Sequence, residues 1–516
     1  MDRDGLLIRL RVRRALVLLC LLAAALTLAA PASARVRRAP VVVVVLDEFP
    51  TTSLLGAHGR IDRVRYPNFA ALAGDATWFR NATTVGDATS AAVPAILDGR
   101  QHRWVHERYA HAPRRNLLTL LARRGWAVRA HEDGRVCQRR FCGPPRPARY
   151  YVVRRRAPRF EDFVRSIVPT ARRRLYYGHF LLPHVPWTDL PSGRHYLHGV
   201  ALPIRNFGFQ RFPSDPGLVY LAWERHLLQA MAVDRLIGHL LARLRATGLY
   251  DRSLIVVTAD HGISFRPGQR DRRTVTHRNV DDIAPVPLFI KRPGRHRGRR
   301  SRAFARTTDI LPTIADILDV RVPWRTAGRS AFSRAVRRRH TVRLAGRAFH
   351  EPVVKLSTRR FARRWRRRIR AQHGLFGLGP SGLYRLGPNR WLVGRRLVRS
   401  AGGLRLAGSP VLGSRIHAHL NSTGDLTNVR FASGFVPALI TGVMSRHRGR
   451  VHRGIALAVN GRVVAVARTF YLRGSPRESF AALVPESAFH AGRNQVTVLS
   501  ARRRGRRLRV RSLGGI

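Results

Sequence analysis

Val41-Val-Val-Val-Val-Leu46 is an unbroken aliphatic run set between Pro40 and Pro50. A run with no polar alternation predicts a strand buried on both faces, as in the parallel sheet of an α/β fold. Leu254-Ile-Val-Val-Thr258 has the same character, and residues 126–130 and 175–182 read as further strands. Between these segments the apolar spacing changes to that of helices. Tyr66-Pro-Asn-Phe-Ala-Ala-Leu72 opens one helix behind a proline, residues 116–125 form a second with Gly125 at its C-terminus, and residues 227–244 a third. Strands alternating with helices predict an α/β fold with a doubly wound, mostly parallel sheet.

The pattern shifts near residue 330. Residues 331–395 form an arginine-rich connecting segment, with a basic helix expected over 358–370. That helix has two readings, a solvated or packed face and a contact with a polyanion. From residue 396 to 516 short β-like runs alternate with Gly, Asn and Ser. Asn460-Gly461 between two apolar runs predicts a hairpin. The segment is therefore expected to be a smaller C-terminal antiparallel β-domain, a sandwich. The chain shows no internal repeat.

At the N-terminus, Arg9, Arg11, Arg13 and Arg14 precede an apolar run, Ala15 to Ala30, and then Ala32-Ser33-Ala34. This order predicts a secretory signal peptide over 1–34, with an uncleaved anchor as the alternative. The expected location is secreted or cell-envelope associated, outside the cytoplasmic membrane. Beyond the leader only Cys137 and Cys142 remain. Two close cysteines in an exported chain predict a disulfide between them.

Charge changes the picture of partners. There are 96 basic and 29 acidic residues, a formal net charge of +67, and all the basic residues are arginine except Lys291 and Lys355. The arginines are spread along the whole chain, as a compositional bias would leave them, yet their field favours anionic substrates. No nucleic-acid module motif is present, so nucleic acid is not an expected partner. An envelope lipid, a membrane surface or an acidic wall polymer stays open.

Sites in open α/β sheets form beyond the carboxyl ends of the strands. Asp47 and Glu48 follow the first strand, His184 follows residues 175–182, and Asp260 and His261 follow residues 254–258. Three strands thus deliver carboxylates and imidazoles to one sheet edge, a donor set that suits zinc, or manganese where oxygen dominates. Gly86 to Gly99 supplies a hydroxyl pair, Thr89 and Ser90, before a helix-like segment. A hydroxyl at a helix N-terminus suits attack on an anionic centre; on this local chemistry Thr89 and Ser90 are equal.

The order Leu46-Asp-Glu48, Tyr66 to Leu72, Phe79-Arg-Asn-Ala82, Thr89 to Gly99, Pro183-His184, Thr258-Ala-Asp-His-Gly262 and Val286-Pro-Leu-Phe289 resembles the sulfatase-like branch of the alkaline phosphatase superfamily. Asp309 to Asp316 and Val322-Pro-Trp324 resemble the closing segment of that family, so the resemblance covers a catalytic domain of 39–330. In the related phosphoethanolamine and phosphoglycerol transferases the nucleophilic threonine stands five residues before a Val-Pro proline. Pro94 is that proline here, which selects Thr89. The formylglycine-forming cysteine of true sulfatases falls on the same residue, and a threonine cannot become formylglycine.

The resemblance implies one divalent metal, zinc or manganese, held by Glu48, Thr89, Asp260 and His261, with Asp47 binding it or bracing Glu48. It implies His184 as the group that meets the substrate anion or protonates the leaving group, and His277 as a further metal or substrate histidine. Asp87, Asp281 and Asp282 have no counterpart and read as solvated loop carboxylates. The expected activity is phosphoester hydrolysis or transfer through a phospho-threonine at Thr89. Sulfate-ester hydrolysis without formylglycine and a non-catalytic polyanion binder are the alternatives.

Overall fold

A computed structural model describes residues 36–102, 114–133, 137, 139–142, 155–199, 211–346, 354–445, 452–472, 474–504 and 507–516. The leader lies outside the described residues. The aliphatic run is β1, Val41–Leu46, and every residue of it is buried. It is followed by helix α1, Pro67–Asp75, strand β2, Thr77–Phe79, and helix α2, Thr89–Asp98. Next come α3, Leu117–Arg123, β3, Ala127–Glu132, α4, Arg156–Arg165, and β4, Arg174–Phe180. The long α5, Pro216–Ala246, leads to β5, Leu254–Ala259, β6, Leu288–Lys291, β7, Arg299–Ser301, and α6, Ile310–Leu318.

These strands form one sheet in the order β3-β4-β1-β5-β6-β2-β7. β3, β4, β1 and β5 run parallel, and β6 is antiparallel to β5 and β2. The alternation along β1 explains why it contains no polar residue. Val42, Val44 and Leu46 enter one core with Phe69, Leu72 and the long helix, while Val41, Val43 and Val45 enter a second with Val93, Ile96, Leu118 and Ile314. Both faces of a pleated strand are therefore removed from water by helices, as the doubly wound architecture requires.

The arginine-rich segment packs onto this domain. A short ribbon of Thr341–Leu344 and Val354–Ser357 precedes helix α7, Thr358–Phe376, which Ser357 caps through the Arg360 amide. The helix buries Phe361, Trp365, Ile369, Gln372 and Phe376, and Trp365 Nε1 and Gln372 Nε2 donate to Thr52 just beyond β1. The C-terminal strands form a seven-stranded and a four-stranded sheet. The expected hairpin is Gly454–Val459 and Arg462–Arg468, turning on Asn460 and Gly461, both at positive φ. Ser409–Leu412 and Arg507–Gly515 pair in parallel, so the domain is not wholly antiparallel. Among the described residues no helix is long and apolar enough to cross a membrane.

Candidate active site

The parallel register of β4, β1 and β5 brings three strand ends level. Leu46 pairs with Phe180 on one side and Ala259 on the other, so the residues beyond each strand emerge at one edge. The Asp47 amide donates to Leu182 O (2.9 Å) and the Asp260 amide to Leu46 O (2.9 Å), which extends the ladder one step past the strands. Glu48 then adopts φ 56°, the left-handed region that residues other than glycine rarely enter. Its amide is tied to Asp260 Oδ1 at 3.2 Å, and this turn sends the Asp47 and Glu48 side chains in different directions.

Asp47, Asp260 and His261 form a buried cluster in which one donor atom from each lies within 4.8 Å of the others. His261 Nδ1 donates to Gly262 O (2.9 Å), which turns Nε2 toward the carboxylates, 3.5 Å from Asp260 Oδ2 and 3.9 Å from Asp47 Oδ1. Those three atoms have no hydrogen-bond partner although they are fully buried. Three buried polar atoms without partners at one point are costly, and the two-carboxylate, one-imidazole set suits a divalent ion that would satisfy them. Burial and the Asp260 charge push Asp47 well above the ordinary carboxylate range, and burial lifts Asp260 to about 7. Gly262 is required by space: a Cβ there would meet Asp282 O at 2.6 Å and Ile283 O at 2.8 Å.

Thr89 is the first residue of α2, behind Ala88, and its hydroxyl donates to Asp47 Oδ2 at 3.4 Å. The structure thus places Asp47, Thr89, Asp260 and His261 together. Glu48 points elsewhere. Its Oε1 lies 2.8 Å from Arg272 Nη2 and 3.7 Å from Arg273 Nε, and Arg272 Nε donates to Oε2 (3.3 Å). Burial raises Glu48, but the Arg272 and Arg273 guanidinium groups outweigh it and hold the carboxyl well below its usual range.

His184 has its side chain 14% exposed and marks the solvent side of the site. Its Nδ1 donates to Val185 O (2.5 Å) and its Nε2 accepts from Arg272 Nη2 (3.3 Å). Burial, with Arg272, Arg156 and Arg273 beside it, holds it neutral, well below the usual imidazole value. In this arrangement Nε2 carries no proton, so the expected proton-donor role is not the one this tautomer supports. Arg156 fixes the loop by donating to His184 O (2.6 Å) and Val185 O (3.1 Å).

His277 is exposed, with its carbonyl taken by Arg364, and the structure does not bring it to the cluster. The expectation that Asp87, Asp281 and Asp282 are solvated is corrected: all three are buried. Asp87 accepts from the Val275 amide (2.8 Å), while Asp281 and Asp282 pair with Arg266, Arg364 and Arg368. Partners from α7, some eighty residues away in sequence, replace water there. Cys137 and Cys142 are joined by a disulfide, as their spacing predicts.

Two groups escaped the sequence reading. Arg272 and Arg273 are consecutive arginines in an arginine-rich chain and carry no local signal. Glu132 and His179 had one. Glu132 ends β3 at the same sheet edge, so the strand-end rule that found Asp47 applies equally to it. Glu132 Oε1 pairs with His179 Nδ1, and Tyr177 donates to Oε2 (3.3 Å), forming a buried polar layer beside Asp47 and Asp260.

The doubly wound sheet, the acid–imidazole edge and the hydroxyl at a helix start are the features that the resemblance to the sulfatase-like branch implies. Residues 224–320, which include Asp260 and His261, match the Sulfatase family model. An ulvan-active sulfatase of Formosa agariphila is 33% identical over 103 residues, covering 19% of this chain and 20% of that protein. The multifunctional alkaline phosphatase superfamily protein PehA of Trinickia caryophylli is 33% identical over 100 residues, 19% of each chain. Human N-acetylglucosamine-6-sulfatase is 26% identical over 151 residues, 26% of this chain and 27% of the relative. The chain thus spans about a fifth to a quarter of the length of these relatives. A solved phosphonate monoester hydrolase from Silicibacter pomeroyi superposes at TM-score 0.48 and 17% identity over 72% of this chain and all of that one. Over residues 224–320 the chain is thus similar to the sulfatases.

Proposed function

We propose that this chain is an exported hydrolase or transferase of an anionic phosphoester, with Thr89 as nucleophile and zinc or manganese held by Asp47, Asp260 and His261. The observation that carries it is the Thr89 hydroxyl standing against a carboxylate whose second oxygen, with Asp260 Oδ2 and His261 Nε2, is buried without a partner. The family's divalent metal fits this donor set. When bound there, the ion supplies Lewis-acid polarisation of the ester and lowers the proton affinity of the hydroxyl.

The chain's own groups do the rest. Asp47 Oδ2, already accepting from Thr89, takes its proton as Oγ1 forms a bond to phosphorus and the first alkoxide leaves. Arg272 and Arg273, buried against Glu48 beside His184, give that side of the site a positive charge that favours a phosphoryl anion. Water then attacks the phospho-threonine, the Oγ1–phosphorus bond breaks and Oγ1 recovers the proton held on Asp47, while the proton that water loses neutralises the departed alkoxide; an acceptor alcohol in place of water makes the step a transfer. The Cys137–Cys142 disulfide supports export.

Sulfate-ester hydrolysis is the second reading, favoured by the sulfatases among the relatives. A paired assay separates the two. Metal-supplemented protein and its Thr89→Ala variant are given a chromogenic phosphodiester and a chromogenic sulfate ester. Phosphodiester turnover lost with Thr89, with phosphothreonine recovered by peptide mass spectrometry, supports the first. Sulfate turnover alone replaces it with the second.

A further inference from the structure

Helix α7 carries Arg359, Arg360, Arg363, Arg366, Arg367 and Arg370 exposed on one side, while its apolar residues face the core. At about 100° per residue these six fall within roughly 120° of arc. Among the described residues none of the six has an ion-pair partner, whereas Arg364 and Arg368 on the rim are consumed by Asp281 and Asp282. The positive surface continues beyond the helix. Arg300 and Arg302 are exposed, and Arg80, stacked over Trp365, is lowered by burial and then by the charges of Arg300, Arg302 and Arg366. Mutual repulsion among unpaired guanidinium groups is a cost that a bound polyanion removes.

We propose that this arginine ridge is a surface that binds a linear anionic polysaccharide, independently of the catalytic reading. Arg359, Arg363, Arg366 and Arg370 lie along the helix axis, spanning about 16 Å with steps of about 4.5–6 Å. That is one cation per sugar unit of an extended chain, and guanidinium forks match sulfate, phosphate and carboxylate groups. The ridge exposes no aromatic ring on which bases stack and no apolar side chain that enters a bilayer, which argues against single-stranded nucleic acid and membrane. The helix is also braced against the site: Asp282, held by Arg368, accepts from Ser264, three residues after His261.

The test is binding of a fluorescent heparin-derived decasaccharide to the full-length chain carrying Thr89→Ala, so that turnover plays no part. Two variants are compared over a salt series. One replaces Arg359, Arg363, Arg366 and Arg370 with Gln; the other replaces Arg396, Arg399, Arg405 and Arg509, exposed on the C-terminal β-domain. The ridge variant should lose at least tenfold in affinity and lower the log–log salt slope by about three, since each contacted charge contributes somewhat under one. The control should change less than threefold. Thermal midpoints establish that both fold. Equal losses in the two variants, or an unaffected ridge variant, would overturn the proposal. So would tighter, ridge-dependent binding of an oligonucleotide of equal charge or of phosphatidylglycerol vesicles.

Discussion

The Thr89 hydroxyl lies 3.4 Å from Asp47 Oδ2, on the far side of the carboxylate from its unpartnered oxygen Oδ1. Asp47 thereby joins the hydroxyl to the candidate metal cluster, and Asp260 also takes a hydrogen bond from it. Thr89→Ala removes the proposed nucleophile while leaving a good helix former at the first position of α2, so the fold should persist and turnover should fall at least about 10³-fold, as when a covalent nucleophile is deleted. Thr89→Ser keeps an oxygen there and should retain measurable rate. Steady-state kinetics of both variants checks this, and an alanine variant as active as the parent would remove Thr89 from the mechanism.

Divalent ions should stabilise the fold through Asp47, Asp260 and His261. A ligand at a hundred times its Kd contributes about 2.7 kcal/mol, enough to raise the melting temperature by several degrees. Scanning calorimetry of chelator-treated protein with added zinc or manganese measures it. Asp260→Asn and His261→Ala should each remove most of the rise. A rise of equal size in both variants would locate the ion elsewhere.

Glu48 and Arg272 form a buried pair in which removing one partner strands the other. Arg272→Met should cost about 3–5 kcal/mol, because Arg273 at 3.7 Å is a weaker substitute. Glu48 titrates below its unfolded value, so its contribution is complete above about pH 4.3 and is lost as the pH falls further. Urea unfolding of the parent and Glu48→Gln should give a stability difference that is flat from pH 7 to pH 5 and shrinks on acidification. A difference unchanged down to pH 3 would contradict the ion pair.

The parts of this arrangement legible in the sequence are those set by local pattern. The all-aliphatic β1 announced a strand covered on both faces, and the residues after β1 and β5 followed from topology. What stayed hidden depends on partners distant in the chain. Glu48 and Asp47 are indistinguishable as neighbours, and only the positive φ at Glu48 and the burial of Arg272 separate their directions. Asp281 and Asp282 looked solvated because the arginines that neutralise them come from α7. His277 looked chemical because the resemblance places a histidine there, yet the residue is exposed.

The His179–Glu132 pair gives the chain a stability profile that declines in mild alkali. Burial lowers the affinity of His179 for its proton, but Glu132, and then Asp47 and Asp260, raise it to about 9. A folded value above the unfolded one of about 6.5 means the contribution is complete below pH 6.5 and is lost as the pH rises toward 9. The slope approaches 1.36 kcal/mol per pH unit and sums to roughly 3 kcal/mol. Glu132→Gln removes the largest raising partner, so its folded value should drop and the decline between pH 6.5 and 9 should flatten. Unfolding free energies measured from pH 6 to 10 on chelator-treated protein decide the matter, since an ion at Asp47 and Asp260 would otherwise compete with the imidazolium. Parallel profiles for the parent and Glu132→Gln would mean that His179 is neutral in the folded chain.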